Sequence, residues 1–107
     1  MNELLFNKLL KQYQDTTTVT AYIRSQHWVE THLRRLCTEF GWLEVGKPVK
    51  HTISGTTSTS VSKVEGFIIN EHNILVDVGF GNIWYYECKQ PTTKEVKNFD
   101  GHCLIIS

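Results

Sequence analysis

The apolar positions of this chain change period partway along it. From Asn2 to Tyr13, Leu5, Leu9 and Tyr13 recur every fourth residue, with Leu4, Phe6 and Leu10 widening the stripe. That spacing predicts a short amphipathic helix that must dock on something. Asp15 to Thr20 then gathers four threonines and a valine, side chains that suit turns and caps better than helix interiors. A second helix follows on Val29, Leu33, Leu36, Cys37 and Phe40, which share one face. Its start falls between Thr18 and Ser25, and it stops near Phe40, where Gly41 can turn left-handed and Trp42 can fold back on the last turn.

After Gly46-Lys47-Pro48 the period shortens to that of strands. Strands are expected at Val49–Ile53, Val61–Ile69, Ile74–Phe80, Ile83–Lys89 and Cys103–Ile106, with a polar loop over Ser54–Ser60 and a short helix over Thr92–Phe99. Asn70-Glu71-His72-Asn73 reads as a four-residue hairpin loop, pairing Ile69 with Ile74 and Phe67 with Val76. Phe80-Gly81 reads as a two-residue loop, pairing Val78 with Ile83 and Asp77 with Trp84. Because side chains alternate, these registers set Glu65, Phe67, Ile69, Ile74, Val76, Val78, Ile83 and Tyr85 on one side as a core face.

The pattern thus predicts a single α+β domain over residues 1–107. Two N-terminal helices pack on one face of a mainly antiparallel β-meander of four to five strands, and a short helix precedes the last strand. The opposite face would carry Gly66, Ile68, Leu75, Asp77, Trp84, Tyr86 and Cys88, too apolar to be left wholly in water. The chain's own first helix or terminal strand, a second copy in a homodimer, or another partner could cover it. Tyrosine and tryptophan are favoured at protein interfaces because they bring large area at low entropy cost.

Composition narrows the function classes. Eleven basic side chains balance eleven acidic ones, so the basic excess that drives strong nucleic-acid binding is missing. Cys37, Cys88 and Cys103 form no C-x-x-C pair and read as buried free thiols, not as a secreted disulfide framework. The start lacks a basic leader, and no apolar run reaches membrane-spanning length, so the expected location is cytoplasmic, without a membrane partner. His27, His32, His51, His72 and His102 show no zinc-site spacing, and Gly79-Phe80-Gly81 reads as a turn and not a phosphate loop.

One set of residues suggests catalysis. Glu87-Cys88-Lys89 ends a strand, Asp77 lies on the neighbouring strand, and the second helix carries Glu30 and Glu39. With the order helix, three strands, helix, strand, this resembles the core of the PD-(D/E)XK nucleases. The resemblance implies that Asp77 and Glu87 hold a magnesium or manganese ion, that Lys89 helps activate water, that Glu30 or Glu39 supplies the helix carboxylate, and that the substrate is nucleic acid. Register decides whether those groups can meet. A two-residue Phe80-Gly81 loop turns Asp77 away from Glu87 and Lys89, whereas a three-residue loop through Asn82 pairs Asp77 with Tyr85 and gives a common face.

The leading expectation is therefore a non-catalytic protein-binding module of inhibitor or toxin-immunity type. It needs no cofactor and would dock a protein partner through Ile68, Leu75, Trp84 and Tyr86. The metal-dependent nuclease is the alternative.

Overall fold

A computed structural model describes residues 2–53, 55–101 and 104–106. Loop position Ser54, His102, and Cys103, with its strand start and third thiol, lie outside the described residues. So does Met1, the first residue of the expected leaderless start. The architecture is α+β, as the pattern predicts.

Helix α1 spans Glu3–Thr16 and helix α2 spans Val19–Glu39. Each begins on a side-chain cap that accepts one of the N–H groups a helix start leaves orphaned: Asn2 Oδ1 from Leu5 N at 3.1 Å, and Thr18 Oγ1 from Ala21 N at 3.3 Å. Leu9 and Tyr13 of α1 and Val29, Leu33, Leu36 and Cys37 of α2 are buried, with Leu5, Phe6, Leu10 and Phe40 partly buried beside them, whereas Leu4, expected to widen the α1 stripe, is 82% exposed. The Tyr13 hydroxyl is hydrogen-bonded to that of Ser25, which lets a buried serine cross the helix interface satisfied. Gly41 does not turn left-handed, since it is absent from the positive-φ glycines. A Cβ there would lie 2.8 Å from the Cys37 carbonyl oxygen. The bare backbone lets that carbonyl accept the Asn2 N–H at 3.0 Å, so the start of α1 satisfies the end of α2.

The strands divide between two antiparallel sheets, where one meander was expected. One contains β1 (Pro48–Thr52), β2 (Thr59–Lys63) and β6 (Leu104–Ile106), in the order β1-β2-β6. The other contains β3 (Gly66–Ile69), β4 (Ile74–Asp77) and β5 (Asn82–Trp84), in sequence order. The segment expected as one strand, Val61–Ile69, serves both sheets by bending. Val64 N still donates to Lys47 O at 2.9 Å beside β1, and the next residue, Glu65, donates to Asp77 O at 2.7 Å beside β4. A strand that changes sheets at a bend makes a corner. The side-chain phase resets there, so Val64 before it and Phe67 and Ile69 after it all join the core, while Ser60, Val61 and Ser62 of β2 are buried on both phases. Glu65, expected on the core face, is exposed at this corner with its carboxylate 3.8 Å from Lys63 Nζ.

The expected strand Ile83–Lys89 is also interrupted. After β5 the chain makes a 3-10 turn, Tyr85–Glu87. Lys89 then exchanges two backbone hydrogen bonds with Lys50 of β1, at 2.9 and 2.8 Å. Pairing therefore runs in a ring: β1 to β2, along the chain to β3, across β4 and β5, and along the chain to Lys89 and back to β1. Val49, Val64, Phe67, Ile69, Ile74, Val76, Val78 and Tyr85 join the helical stripes in one hydrophobic core. Cys88, expected on the outer face, is buried because the 3-10 turn breaks the alternation.

Helix α3 (Thr93–Asn98) opens with a reciprocal cap. Thr92 Oγ1 accepts from Glu95 N, and Glu95 Oε1 accepts from Thr92 N. The other carboxylate oxygen of Glu95 lies 2.9 Å from Lys50 Nζ, tying α3 to β1. Among the described residues, no helix is long and apolar enough to cross a membrane.

Candidate functional site: the outer face of the second sheet

Hairpin register builds this face. The β3–β4 pairing is as the loop predicts, with Ile69 opposite Ile74, Ile68 opposite Leu75 and Phe67 opposite Val76. Asn70 closes the loop, its Oδ1 accepting from His72 N at 3.0 Å and Asn73 N at 2.9 Å. The β4–β5 loop is Gly79-Phe80 and not Phe80-Gly81: Val78 N donates to Gly81 O at 3.0 Å. Gly79 has φ +92°, and a tight hairpin of this kind wants a glycine at its first loop position. The register consequently moves by two residues, to Leu75–Trp84, Val76–Ile83 and Asp77–Asn82. A shift of two leaves every side chain on its expected face.

Ile68, Leu75 and Trp84 therefore stand side by side across three strands. The 3-10 turn carries Tyr86 onward from Trp84, and the two rings stack with centroids 5.3 Å apart and planes 28° apart. Ile68 is 36% exposed and Tyr86 45% exposed, while Leu75 and Trp84 are half-buried. A second cross-strand row, Gly66, Asp77 and Asn82, lies beside the apolar one.

Behind Tyr86, Tyr85 points the other way and is fully buried. Its hydroxyl is 2.7 Å from His32 Nδ1, and its ring meets Phe40 edge-on at 5.5 Å. Burial raises its pKa, and the neighbouring Arg35 guanidinium opposes that rise. Burial, then Arg35, lowers that of His32. A neutral imidazole accepting the phenol proton fits both shifts. Sequence periodicity could not foresee this link, because it joins α2 to a turn 53 residues later.

The nuclease candidates are spread out. Asp77 Oδ1 accepts the Gly79 N–H at 2.8 Å and so helps shape the turn. Glu87, expected on a strand beside Lys89, lies exposed in the 3-10 turn. Lys89 is exposed and held by its backbone to β1. Glu30 Oε1 lies 3.5 Å from Gln26 Nε2, and Glu39 pairs with Arg35 at 2.6 Å, both within α2. Among the described residues, no group of three or more His, Cys, Asp or Glu is placed to hold a metal ion.

A buried polar cluster escaped sequence reasoning. Val49 opposes Ser62 and His51 opposes Ser60, so a histidine and two serines share the inner side of the first sheet. His51 Nε2 is 3.0 Å from Ser62 Oγ, and the two serine oxygens are 3.3 Å apart. Nδ1 faces the Thr52 carbonyl at 3.4 Å, an acceptor only, so it carries the ring proton, and Nε2 accepts from Ser62. Burial lowers the His51 pKa, partly opposed by that backbone bond. This is the hydrogen-bond order of a nucleophile and its base. His51 is only 1% and Ser62 only 2% exposed, however, so the pair lies below the surface, with Ser62 in the lining of a cleft beside the Gly79-Phe80 turn. The cluster satisfies polar groups in the core. The alternation Ser60-Val61-Ser62 was its only sequence signal, and the pairing with His51 needed the register.

Cys37 and Cys88 are buried free thiols, pushed up by burial to about 11 and about 12 respectively. Neither supplies a thiolate near neutrality. Two clefts are found among the described residues. One, of about 410 Å³, lies between α1, the Gly41–Val45 segment and β3. The other, of about 290 Å³, lies beside the Gly79-Phe80 turn. No family model matches this chain, and no curated protein or solved structure matches it.

Proposed function

We propose that this chain is a non-catalytic protein-binding module, acting in the cytoplasm as an inhibitor or immunity-type blocker. It would dock its partner through Ile68, Leu75, Trp84 and Tyr86. The observation that carries the reading is the continuous apolar row on a solvent-facing sheet, ended by a stacked Trp-Tyr pair. Patches of this kind on small domains are commonly functional, and aromatic residues dominate binding energy at interfaces. Two buried, protonated thiols suit a reducing compartment. Neutral overall charge favours a protein partner over nucleic acid.

The test is affinity capture with the wild-type chain, Trp84→Ala, Tyr86→Ala and a distant control, Lys97→Ala, each verified as folded. Partners retained by wild type and control and lost with both aromatic variants are expected. Equal retention by all four sinks the assignment of the face. Addition of magnesium or manganese is the matching check on hydrolysis: nuclease activity abolished by Glu87→Ala would replace this reading.

A further inference from the structure

The geometry points to a second site, separate from the docking face: Ser62 is a nucleophile that accepts a short acyl group from an activated ester, with His51 as its base. The hydrogen bonds are ordered for these roles. His51 Nδ1 holds the ring proton against the Thr52 carbonyl at 3.4 Å, which leaves the Nε2 lone pair to take the Ser62 proton across 3.0 Å. Because that proton is directed at His51, the 3.3 Å bond between the serines is donated by Ser60, toward the oxygen that gains negative charge during attack. Burial holds the imidazole neutral near pH 7, the state a base requires.

A cleft reaches the pair. Ser62 contributes to the lining of the cleft of about 290 Å³ beside the Gly79-Phe80 turn. Phe80 lines it too, with its ring 6.0 Å from that of His51. Phe80 is 64% exposed, so turning it outward uncovers the histidine with little loss of buried apolar surface. Val78 and Phe80 offer an apolar wall for an acyl chain. Lys63 brings an ammonium whose loose surface pairing with Glu65, at 3.8 Å, leaves it able to turn toward a carbonyl oxygen. The volume lies at the lower end of the roughly 300–1,000 Å³ typical of ligand clefts, which suits a short ester and not a macromolecule. The fold itself does not call for this polar trio, since apolar residues of the same shape in place of a buried hydrogen-bonded pair are close to neutral.

In the step, Ser62 Oγ bonds to the acyl carbon as its proton passes to His51 Nε2. The ester C–O bond breaks, and the leaving alkoxide takes that proton from His51. The products are O-acyl Ser62 and an alcohol. Each chain takes one acyl group, so the change is a modification and leaves the docking reading as it stands.

The experiment treats the full chain with p-nitrophenyl butyrate, in buffer and in urea, and locates the butyryl group by tandem mass spectrometry. One butyryl group on Ser62 is expected, removed by neutral hydroxylamine as an ester is. Labelling of Ser62 in buffer should outpace that in urea at least about tenfold, and should slow roughly a hundredfold in His51→Gln verified as folded by amide NMR, the scale of general-base assistance. No label on Ser62, a hydroxylamine-resistant label on Lys63 alone, or equal labelling of Ser62 in buffer and in urea overturns the inference. So does an unchanged rate in folded His51→Gln; if that variant does not fold, the comparison of buffer with urea decides by itself.

Discussion

Tyr85 and Tyr86 are the same residue type at adjacent positions, and truncating each should give opposite results. Tyr85 is fully buried, edge-on to Phe40 at 5.5 Å, with its hydroxyl 2.7 Å from His32 Nδ1. Tyr85→Ala removes a buried aromatic ring and leaves a cavity, at a cost of about 3–5 kcal/mol. At roughly 4–8 °C per kcal/mol for a domain near this size, melting should fall by at least about 12 °C. Tyr85→Phe keeps the ring and loses one hydrogen bond, about 1–2 kcal/mol, because the half-buried His32 can recover water. Tyr86 is 45% exposed, and its ring contacts are with Trp84 and Tyr85. Tyr86→Ala should cost about 1 kcal/mol, within the range for one aromatic pair. The assay is thermal unfolding followed by circular dichroism, alongside partner capture. Tyr86→Ala should melt near wild type and bind poorly. Equal melting losses at the two positions would refute the division into an inner and an outer ring.

Three further outcomes follow from the core. Burial depresses the pKa of both His51 and His32, so the unfolded chain binds more protons below its own histidine value of about 6.5. Stability should hold above that pH and decline as pH drops below it, and His51→Gln should flatten the decline; a pH-independent melt between 7.5 and 5 would contradict this. Gly41→Ala puts a Cβ 2.8 Å from the Cys37 carbonyl and should cost about 1–3 kcal/mol by urea unfolding, through loss of the Asn2 N–H bond. Cys37 and Cys88, with thiols pushed up to about 11 and about 12, should stay unalkylated by iodoacetamide at pH 8 until urea unfolds the chain; peptide mapping of early native-state labelling at either one would show the burial to be wrong.

Local pattern carried much of this fold. The two helices and their buried stripes, the Asn70–Asn73 hairpin with its pairings, and the face on which Ile68, Leu75, Trp84 and Tyr86 stand were all legible, because each depends on side-chain period and turn chemistry within a few residues. Even the misplaced β4–β5 turn kept its faces, since its error was an even number of residues. What tertiary structure alone decided involves partners far apart in the chain. The bend at Val64–Glu65 answers to both β1 and β4, and the 3-10 turn delivers Lys89 to β1. His32 finds Tyr85, and Ser62 finds His51. Such contacts follow from closing a ring of strands around a shared core, and no periodicity along the chain records where a ring will close.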